Sequence, residues 1–201
     1  NLRSRAFFIK GLYSVWKAKI SLPFLEERIK ENCDGLVAAY QEHSTKDWEW
    51  FERSLNYANS ILPEALFIGW KITGNKQYLT IAKKTLDFLI AQTVGDEYYL
   101  PIGQDGWYPY GGPRAYFDQQ PEEPSYMVQS LYTIYKLTKD ERYAALRLKV
   151  FSWFLGNNEI AHTMYDENTG GCYDGLQKTS INLNQGAESG VCYLLARLCV
   201  E

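Results

Sequence analysis

The sequence predicts an all-α fold of helical hairpins arranged in two layers, and three features of the chain support this prediction. Apolar residues recur at three- and four-residue spacing through most of the chain, which is the spacing of amphipathic helices. A segment at 62–89 recurs about 65 residues later at 129–155, which is typical of stacked supersecondary units. The connections between helical segments alternate between very short and very long. We therefore expect one end of the molecule to carry nearly all of the loop residues.

Seven helices follow from the periodicity and from the turn residues between them. They are expected at 3–19, 22–43, 60–73, 76–93, 122–138, 140–156 and from about 186 to the end of the chain. Two short links, Thr73-Gly74-Asn75 and Thr138-Lys139-Asp140, occupy the same place in the two copies of the repeat. Because Gly, Asn and Asp at such positions end one helix and cap the next, each link is expected to close a tight hairpin.

The two helices of each hairpin differ in character. In the helix at 76–93, the apolar residues form one stripe and the lysines lie opposite, which predicts one solvent-facing side. The helices at 60–73 and 122–138 are apolar nearly all round, which predicts burial on both sides. The economical arrangement is an inner ring of buried helices surrounded by an outer ring of amphipathic helices.

Three long connections, at 44–59, 94–121 and 157–185, each lead from an outer helix to the next inner helix. They are therefore expected to emerge at the same end of the fold. Loops of this length are usually functional or disordered, and these are too rich in aromatic residues for disorder. Four of their aromatic residues are candidate platforms for a ligand ring, namely Trp48, Trp50, Trp107 and Tyr110.

Composition argues against several classes of protein. A formal net charge of -3 gives no electrostatic reason to expect a nucleic acid as partner. No apolar run approaches the roughly 18 residues of a membrane-spanning helix. The cysteines Cys33, Cys172, Cys192 and Cys199 lack zinc-site spacing, so we expect free thiols, a cytoplasmic location, no metal and no cofactor.

Polar residues occupy corresponding places at the start of three inner helices. Asn59, Glu123 and Glu188 are spaced by about 65 residues, and further carboxylates and amides surround each of them. Such a residue at a helix N-terminus often only caps free N–H groups, and for any one of the three this structural role is the simpler alternative. Three such sets at one end of a ring, beside aromatic residues, favour a ligand site.

Sugars fit this combination of residues. Pyranose rings have apolar C–H faces that stack on Trp and Tyr, and hydroxyls that pair with carboxylates and amides. Two carboxylates that flank a glycosidic bond suffice for hydrolysis, one as the proton donor and the other as base or nucleophile.

The candidate catalytic residues are Asp118, Asp174, Glu188 and Glu52. For Asp174, which lies in a glycine-rich segment, capping of a turn is an equal alternative. The candidate substrate-binding residues are Trp48, Trp50, Asn59, Trp107, Tyr110, Gln120, Glu123, Asn184 and Gln185.

The hairpins, with their T-G-N-x-x-Y turn at 73–78, resemble the six-hairpin glycosidase-like (α/α) toroids. More specifically, WEWFERSLNYANSILPEAL, DQQPEEPSYM, FSWFLGNN and TGGCYDGL followed by NLNQGAES resemble a helical domain fused to, or encoded beside, bacterial and archaeal glycosyltransferases. This resemblance covers about 46–198 and implies a carbohydrate context without assigning a reaction. Relatives often carry an acidic residue where this chain has Ala58, which argues against catalysis at that position.

A six-hairpin ring needs more helices than the seven predicted here. We therefore expect residues 1–201 to form a single helical-hairpin domain, the C-terminal part of a longer toroid or multidomain protein. Two alternatives are a smaller closed assembly and a second chain that covers the inner helices.

The leading hypothesis is a carbohydrate-recognising, glycosidase-like domain that acts on an oligosaccharide or polysaccharide with paired carboxylates. The alternative is a non-catalytic glycan-binding or scaffolding domain of a glycosyltransferase system, whose partner is a glycosyltransferase domain or the missing N-terminal helices. A helical-repeat adaptor would explain the periodicity but not the clusters of carboxylates and aromatic residues. The chain has no glycine-rich phosphate-binding motif, so it is not expected to be the sugar-nucleotide half of such a system.

Overall fold

A computed structural model describes residues 1–201, which form helices joined by turns and long connections. The α-helices are α1 Leu2–Lys17, α2 Leu25–His43, α3 Ile61–Thr73, α4 Lys76–Thr93, α5 Glu122–Thr138, α6 Glu141–Phe151 and α7 Ala187–Leu198. A 3-10 turn, Ser152–Phe154, continues α6. All seven predicted helices are present with ends that differ by a few residues, which confirms the prediction of an all-α fold of helical hairpins.

The two tight hairpin turns are closed by local hydrogen bonds. Gly74 ends α3 in the left-handed conformation, with φ at 72°. The side chain of Asn75 then accepts the N–H two residues further on at 2.9 Å, at the start of α4. The second turn has the same design, with Lys139 at φ 61° in place of the glycine and Asp140 as the capping residue of α6. The capping residues thus explain why both helix pairs reverse direction sharply.

The helices differ in burial as predicted. Residues 61–69 of α3 are all buried, and most of α5 is buried as well. In α4 one stripe is buried, formed by Tyr78, Ile81, Ala82, Thr85, Leu86 and Leu89. The lysines on the opposite side of α4 are exposed. This confirms an arrangement of buried inner helices and amphipathic outer helices.

The chain forms two compact units. The first contains residues 1–53 and 60–89, and the second contains residues 54–59 and 90–201. In the first unit α1, α2 and α3 pack against one another. Gly69 of α3 permits a close approach there, since a Cβ at this position would lie 2.3 Å from the Sγ of Cys33.

In the second unit α5 packs on both α6 and α7. The hydroxyl of Ser125 donates a hydrogen bond of 2.7 Å to the carbonyl of Cys192, which links α5 to α7. The ring of Tyr165, from the third long connection, stacks on Tyr193 of α7 with ring centroids 4.3 Å apart. The long connection is therefore part of the packed core of this unit.

Four short strands, which the sequence did not predict, stabilise the connections of the second unit. β1 Ser54–Leu55 pairs with β2 Tyr108–Pro109, and β3 Gly175–Leu176 pairs with β4 Ile181–Asn182, both antiparallel. Strands of two residues contain no alternating pattern long enough to be recognised. The connections are thus ordered by main-chain hydrogen bonds.

One side of α7 is apolar and exposed. Val191, Leu194, Leu195 and Leu198 are 53%, 56%, 42% and 68% exposed. They follow the spacing i, i+3, i+4 and i+7, so they form a single stripe along the helix.

Two further observations concern expectations from composition. None of the helices combines the length and the apolar character needed to cross a membrane. All four cysteines are free thiols, and three of them are buried.

Candidate functional site

A polar cleft of about 360 Å³ opens in the second unit. It forms where the second and third long connections meet the N-terminal ends of α5 and α7. Its lining residues are Gln104, Asp118, Gln120, Pro121, Glu122, Asp174, Asn182, Gly186, Ala187, Glu188 and Ser189. The structure therefore brings together three of the four candidate catalytic residues, Asp118, Asp174 and Glu188. The volume lies within the range of small-molecule sites.

Asp118 lies on a segment that is held from both sides by main-chain hydrogen bonds. Its carbonyl accepts the N–H of Gln104 at 2.9 Å on one side. The next residue, Gln119, exchanges two main-chain hydrogen bonds with Leu176 of β3, at 2.9 and 2.8 Å, on the other side. The peptide bond that precedes Asp118 is cis. The position of the Asp118 carboxyl group is therefore set by the backbone of two connections.

The buried side chain of Gln119 also holds this segment in place. It is 1% exposed, and its Oε1 accepts a hydrogen bond of 2.8 Å from the indole N–H of Trp153. Its Nε2 donates to a carboxylate oxygen of Glu159 at 2.7 Å and to the carbonyl of Tyr116 at 3.0 Å. A buried amide whose donors and acceptor are all used is a rigid support.

The Asp118 carboxyl group is in an environment that favours its protonated form. Burial raises its pKa, and the negative charges of Asp105 and Asp174 raise it further. Its Oδ1 is buried and has no hydrogen-bond partner. Gly175 makes room for this oxygen, since a Cβ at that position would lie 2.4 Å from it. Asp118 is thus suited to donate a proton to a bound group.

Asp174 is in the opposite situation. Partial burial raises its pKa, but hydrogen bonds from Ser189, Gly186 and Asn184 outweigh this effect, and the net pKa is lowered. The Ser189 hydroxyl donates at 2.6 Å and the Gly186 N–H at 2.7 Å, both to Oδ1, while the Asn184 amide donates to Oδ2. Asp174 therefore stays ionised, and it also ties the third connection to the start of α7.

Two glutamates stand on the first helical turns beside the cleft. Glu188 is exposed on α7, and Glu122 is half-buried on α5. The neighbouring Glu123 is buried, and its Oε2 accepts a hydrogen bond of 2.9 Å from the amide of Asn59. Burial raises the pKa of Glu123 to about 7, and its Oε1 is buried without a hydrogen-bond partner. Asn59 and Glu123 thus form a buried pair rather than part of the cleft lining.

The other candidates in the second unit have separate positions. Gln120 lines the cleft. Gln185 donates to Asp166 at 3.1 Å and supports the third connection. Trp107 is half-buried, with its ring centroid 6.4 Å from that of Tyr57, and Tyr110 is 42% exposed. Trp107 and Tyr110 belong to the connection that also carries Asp118, but neither lines the cleft.

The three candidates from residues 44–53 need correction. Trp48 and Trp50 are 3% and 0% exposed, because their rings pack on Phe88 with centroids 5.2 and 6.2 Å away. Neither ring has a face open to a sugar. Glu52 forms an ion pair of 2.8 Å with the buried Arg3. These residues therefore belong to the packing of the first unit, and we do not include them in the site.

Four lining residues with polar side chains, Gln104, Glu122, Asn182 and Ser189, were not among the predicted site residues. Glu122 and Asn182 lie within the polar segments that marked the site, so the signal was present but was assigned to their neighbours. Gln104 and Ser189 follow no pattern, because their role depends on contacts between distant parts of the chain.

No three His, Cys, Asp or Glu side chains of the chain are grouped so that they could hold a metal ion.

No sequence-family model matches the chain, and no curated protein matches it in sequence. Solved structures match its fold. D-mannose isomerase matches with a TM-score of 0.68 and 16% identity, over 99% of this chain and 56% of that one. An inactive variant of the α-1,6-mannanase GH76A of Salegentibacter sp., in complex with α-1,6-mannotriose, matches with a TM-score of 0.67 and 14% identity, over 100% and 54%. A GH76 α-mannanase of Bacteroides thetaiotaomicron matches with a TM-score of 0.59 and 14% identity, over 86% and 47%.

The chain thus spans about half the length of these structures. At such low identity the likeness shows the fold alone. The chain has the fold of a partial (α/α) toroid, as the helical hairpins and their turns predicted.

Proposed function

We propose that the cleft binds a pyranose unit of an oligosaccharide or polysaccharide and that its carboxylates hydrolyse a glycosidic bond. The observation that carries the proposal is one polar cleft holding two carboxyl groups with opposite pKa shifts, raised for Asp118 and lowered for Asp174. Two environments that push carboxyl pKa values apart are typical of an acid and an ionised partner in glycoside hydrolysis. The mannanases and the mannose isomerase among the solved structures support a carbohydrate substrate.

Each carboxylate has a role that follows from its surroundings. Asp118 donates its proton to the glycosidic oxygen as the bond from that oxygen to the anomeric carbon breaks. Asp174, held ionised by its hydrogen bonds, stabilises the positive charge that develops at the anomeric carbon. Glu188 is the base that takes a proton from the attacking water. The polar side chains of Gln104, Gln120 and Asn182 accept and donate hydrogen bonds to sugar hydroxyls.

The acid and its ionised partner lie on two different connections, Asp118 on the second and Asp174 on the third. The main-chain hydrogen bonds between Gln119 and Leu176 of β3 join these two connections.

The test is hydrolysis of α-1,6-manno-oligosaccharides, the class bound by that neighbour, with xylo- and cello-oligosaccharides as further substrates. Released reducing ends are measured by anion-exchange chromatography. We expect turnover by the wild-type protein, and a loss of about 100- to 10,000-fold in Asp118→Asn, the range for removal of a general acid. Asp174→Asn is expected to lose turnover as well. Asp96→Asn, an exposed aspartate outside the cleft, is the control. Turnover that survives both cleft variants contradicts the proposed mechanism.

The second candidate function is glycan binding without catalysis, in a scaffold for a glycosyltransferase. One observation favours it, namely that the Asp174 carboxylate already accepts three hydrogen bonds from the protein. A carboxylate engaged in this way has little capacity left for a substrate, and its capping role is sufficient reason for its presence. In this case oligosaccharides bind saturably and no reducing ends appear. Asp118→Asn then changes the binding affinity, and neither the wild-type protein nor the variant hydrolyses the oligosaccharides.

A further inference from the structure

A second hollow lies behind the segment that carries Asp118. It has a volume of about 520 Å³ and is lined by Asp105, Ala115, Tyr116, Phe117, Glu159 and Lys178. Main-chain hydrogen bonds join residue 104 to residue 118 and residue 105 to residue 117. Gln104 and Asp118 line the cleft, whereas Asp105 and Phe117 line the hollow. The hydrogen-bonded segments at 104–105 and 117–118 therefore lie between the cleft and the hollow and form a wall shared by both.

Tyr116 provides an aromatic surface in the hollow. The residue is 48% exposed, although the guanidinium group of Arg114 lies over its ring at 4.8 Å from the centroid. That guanidinium group is itself fixed, since it donates to the main-chain carbonyls of Leu100, at 2.6 Å, and of Gln92. The ring is thus held in place from one side while much of the residue stays accessible. A surface ordered before the ligand arrives loses little conformational entropy on binding.

Polar groups of both signs surround this ring. Glu159 is half-buried, and the amide of Gln119 donates to it at 2.7 Å. Asp105 and Lys178 are exposed on the same hollow. Carboxylates accept and an ammonium group donates hydrogen bonds, so a ligand with many hydroxyls finds partners for both. The mixture of charges favours a neutral polyhydroxylated ligand over an anion or a cation.

We propose that this hollow is a second sugar-binding subsite, with the face of a pyranose ring stacked on Tyr116. The protein then recognises at least two sugar units of one glycan that crosses the shared wall between the cleft and the hollow. This inference rests on the proposed function of the cleft. It adds the direction in which the glycan extends and makes its length a determinant of affinity.

The experiment titrates α-1,6-linked manno-oligosaccharides of increasing length, from mannose to the hexasaccharide, by isothermal titration calorimetry. All titrations use an Asp118→Asn background to prevent hydrolysis. With Tyr116 intact, affinity is expected to rise with length until both sites are occupied. With Tyr116→Ala, affinity for the longer oligosaccharides is expected to fall about tenfold, while affinity for the shortest ligand stays the same. Tyr116→Phe keeps the ring and is expected to keep the affinity.

The control is Phe8→Ala in α1, a residue with the same 48% exposed fraction. Thermal unfolding of each variant separates a lost contact from a lost fold. If Tyr116→Ala binds every length as tightly as the parent, or weakens all lengths equally, the subsite is wrong and the cleft proposal stands. If the parent binds none of these oligosaccharides, the proposed function itself fails for this class of sugar and the subsite fails with it.

Discussion

Residues 44–53 of the first unit and residues 104–120 of the second unit are both rich in aromatic rings and carboxylates, yet they serve different ends. In the first segment Trp48 and Trp50 are buried, and Glu52 is paired with Arg3. In the second segment Asp118 lines a cleft and its Oδ1 has no partner. The same residue types thus stabilise one unit and form a candidate site in the other.

The difference lies in the partners that the fold supplies. A carboxylate that faces a fixed arginine has its charge compensated and has no need of a ligand. Asp118 is partly buried beside other carboxylates, so its pKa is raised, and one of its oxygens lacks a hydrogen-bond partner. A ligand can supply the missing hydrogen bond. The presence of acidic residues in a loop therefore says less about function than the absence of a cation beside them.

The most severe test of this comparison is Trp50→Ala. Because Trp50 is completely buried, its removal is expected to reduce the free energy of unfolding by about 4 kcal/mol. Trp107→Ala removes the same ring from a half-buried position and is expected to cost about 1 kcal/mol. Urea denaturation followed by circular dichroism measures both values. Equal losses of stability would mean that Trp50 and Trp107 contribute equally to the fold, which would contradict the difference between the two segments.

The next test uses the buried Glu123. Its pKa rises from an ordinary value of 4.5 to about 7, so the folded protein keeps a proton that the unfolded chain releases between these pH values. The free energy of unfolding is therefore expected to fall as the pH rises from 4.5 to 7, by about 3 kcal/mol at most from this group. In Glu123→Gln this contribution is expected to vanish, which urea denaturation at pH 5 and pH 8 can measure. A parent and a variant with the same pH profile would show that Glu123 titrates normally.

A third test replaces one carboxyl group in each of the two segments by the corresponding amide. Glu52→Gln weakens the pair with the buried Arg3, and we expect a loss of about 2 kcal/mol in stability with normal oligosaccharide turnover. Asp118→Asn removes a carboxyl that has no cation beside it, so stability is expected to stay within about 0.5 kcal/mol while turnover is lost. Thermal unfolding and reducing-end assays on the same preparations give both readouts. The comparison breaks if Glu52→Gln abolishes turnover in a folded protein.

The smallest expected effect concerns Asp174. Its folded pKa is lowered, so its stabilising contribution is present above the pKa of the unfolded chain and is lost as the pH falls through the folded pKa. Asp174→Ala leaves the Ser189 hydroxyl and the Gly186 N–H without their acceptor, which is expected to cost about 1 kcal/mol at neutral pH. The cost should shrink in acid, and unfolding measured at pH 3 and pH 7 tests this. A cost independent of pH would assign the effect to packing.

The helices could be predicted from the sequence because each depends on local information. The stripe of α4 and the turn at Gly74 are determined by residues a few positions apart. The cleft could be predicted only in part. Asp118, Asp174 and Glu188 stood out as carboxylates near helix starts, but Ser189 and Gln104 act through contacts with residues far away in the chain. The burial of Trp50 could not be predicted from the sequence for the same reason, since it depends on the position of Phe88.

The attachment of the segment around Asp118 through its backbone has a consequence for evolution and for engineering. Its hydrogen bonds to Gln104 and Leu176 use main-chain atoms, which remain whatever side chains are present. Side chains at 104, 118 and 120 can thus be exchanged while the scaffold beneath them keeps its shape. Substitutions at these positions, in evolution or in a library of variants, could therefore change substrate specificity while the fold is retained.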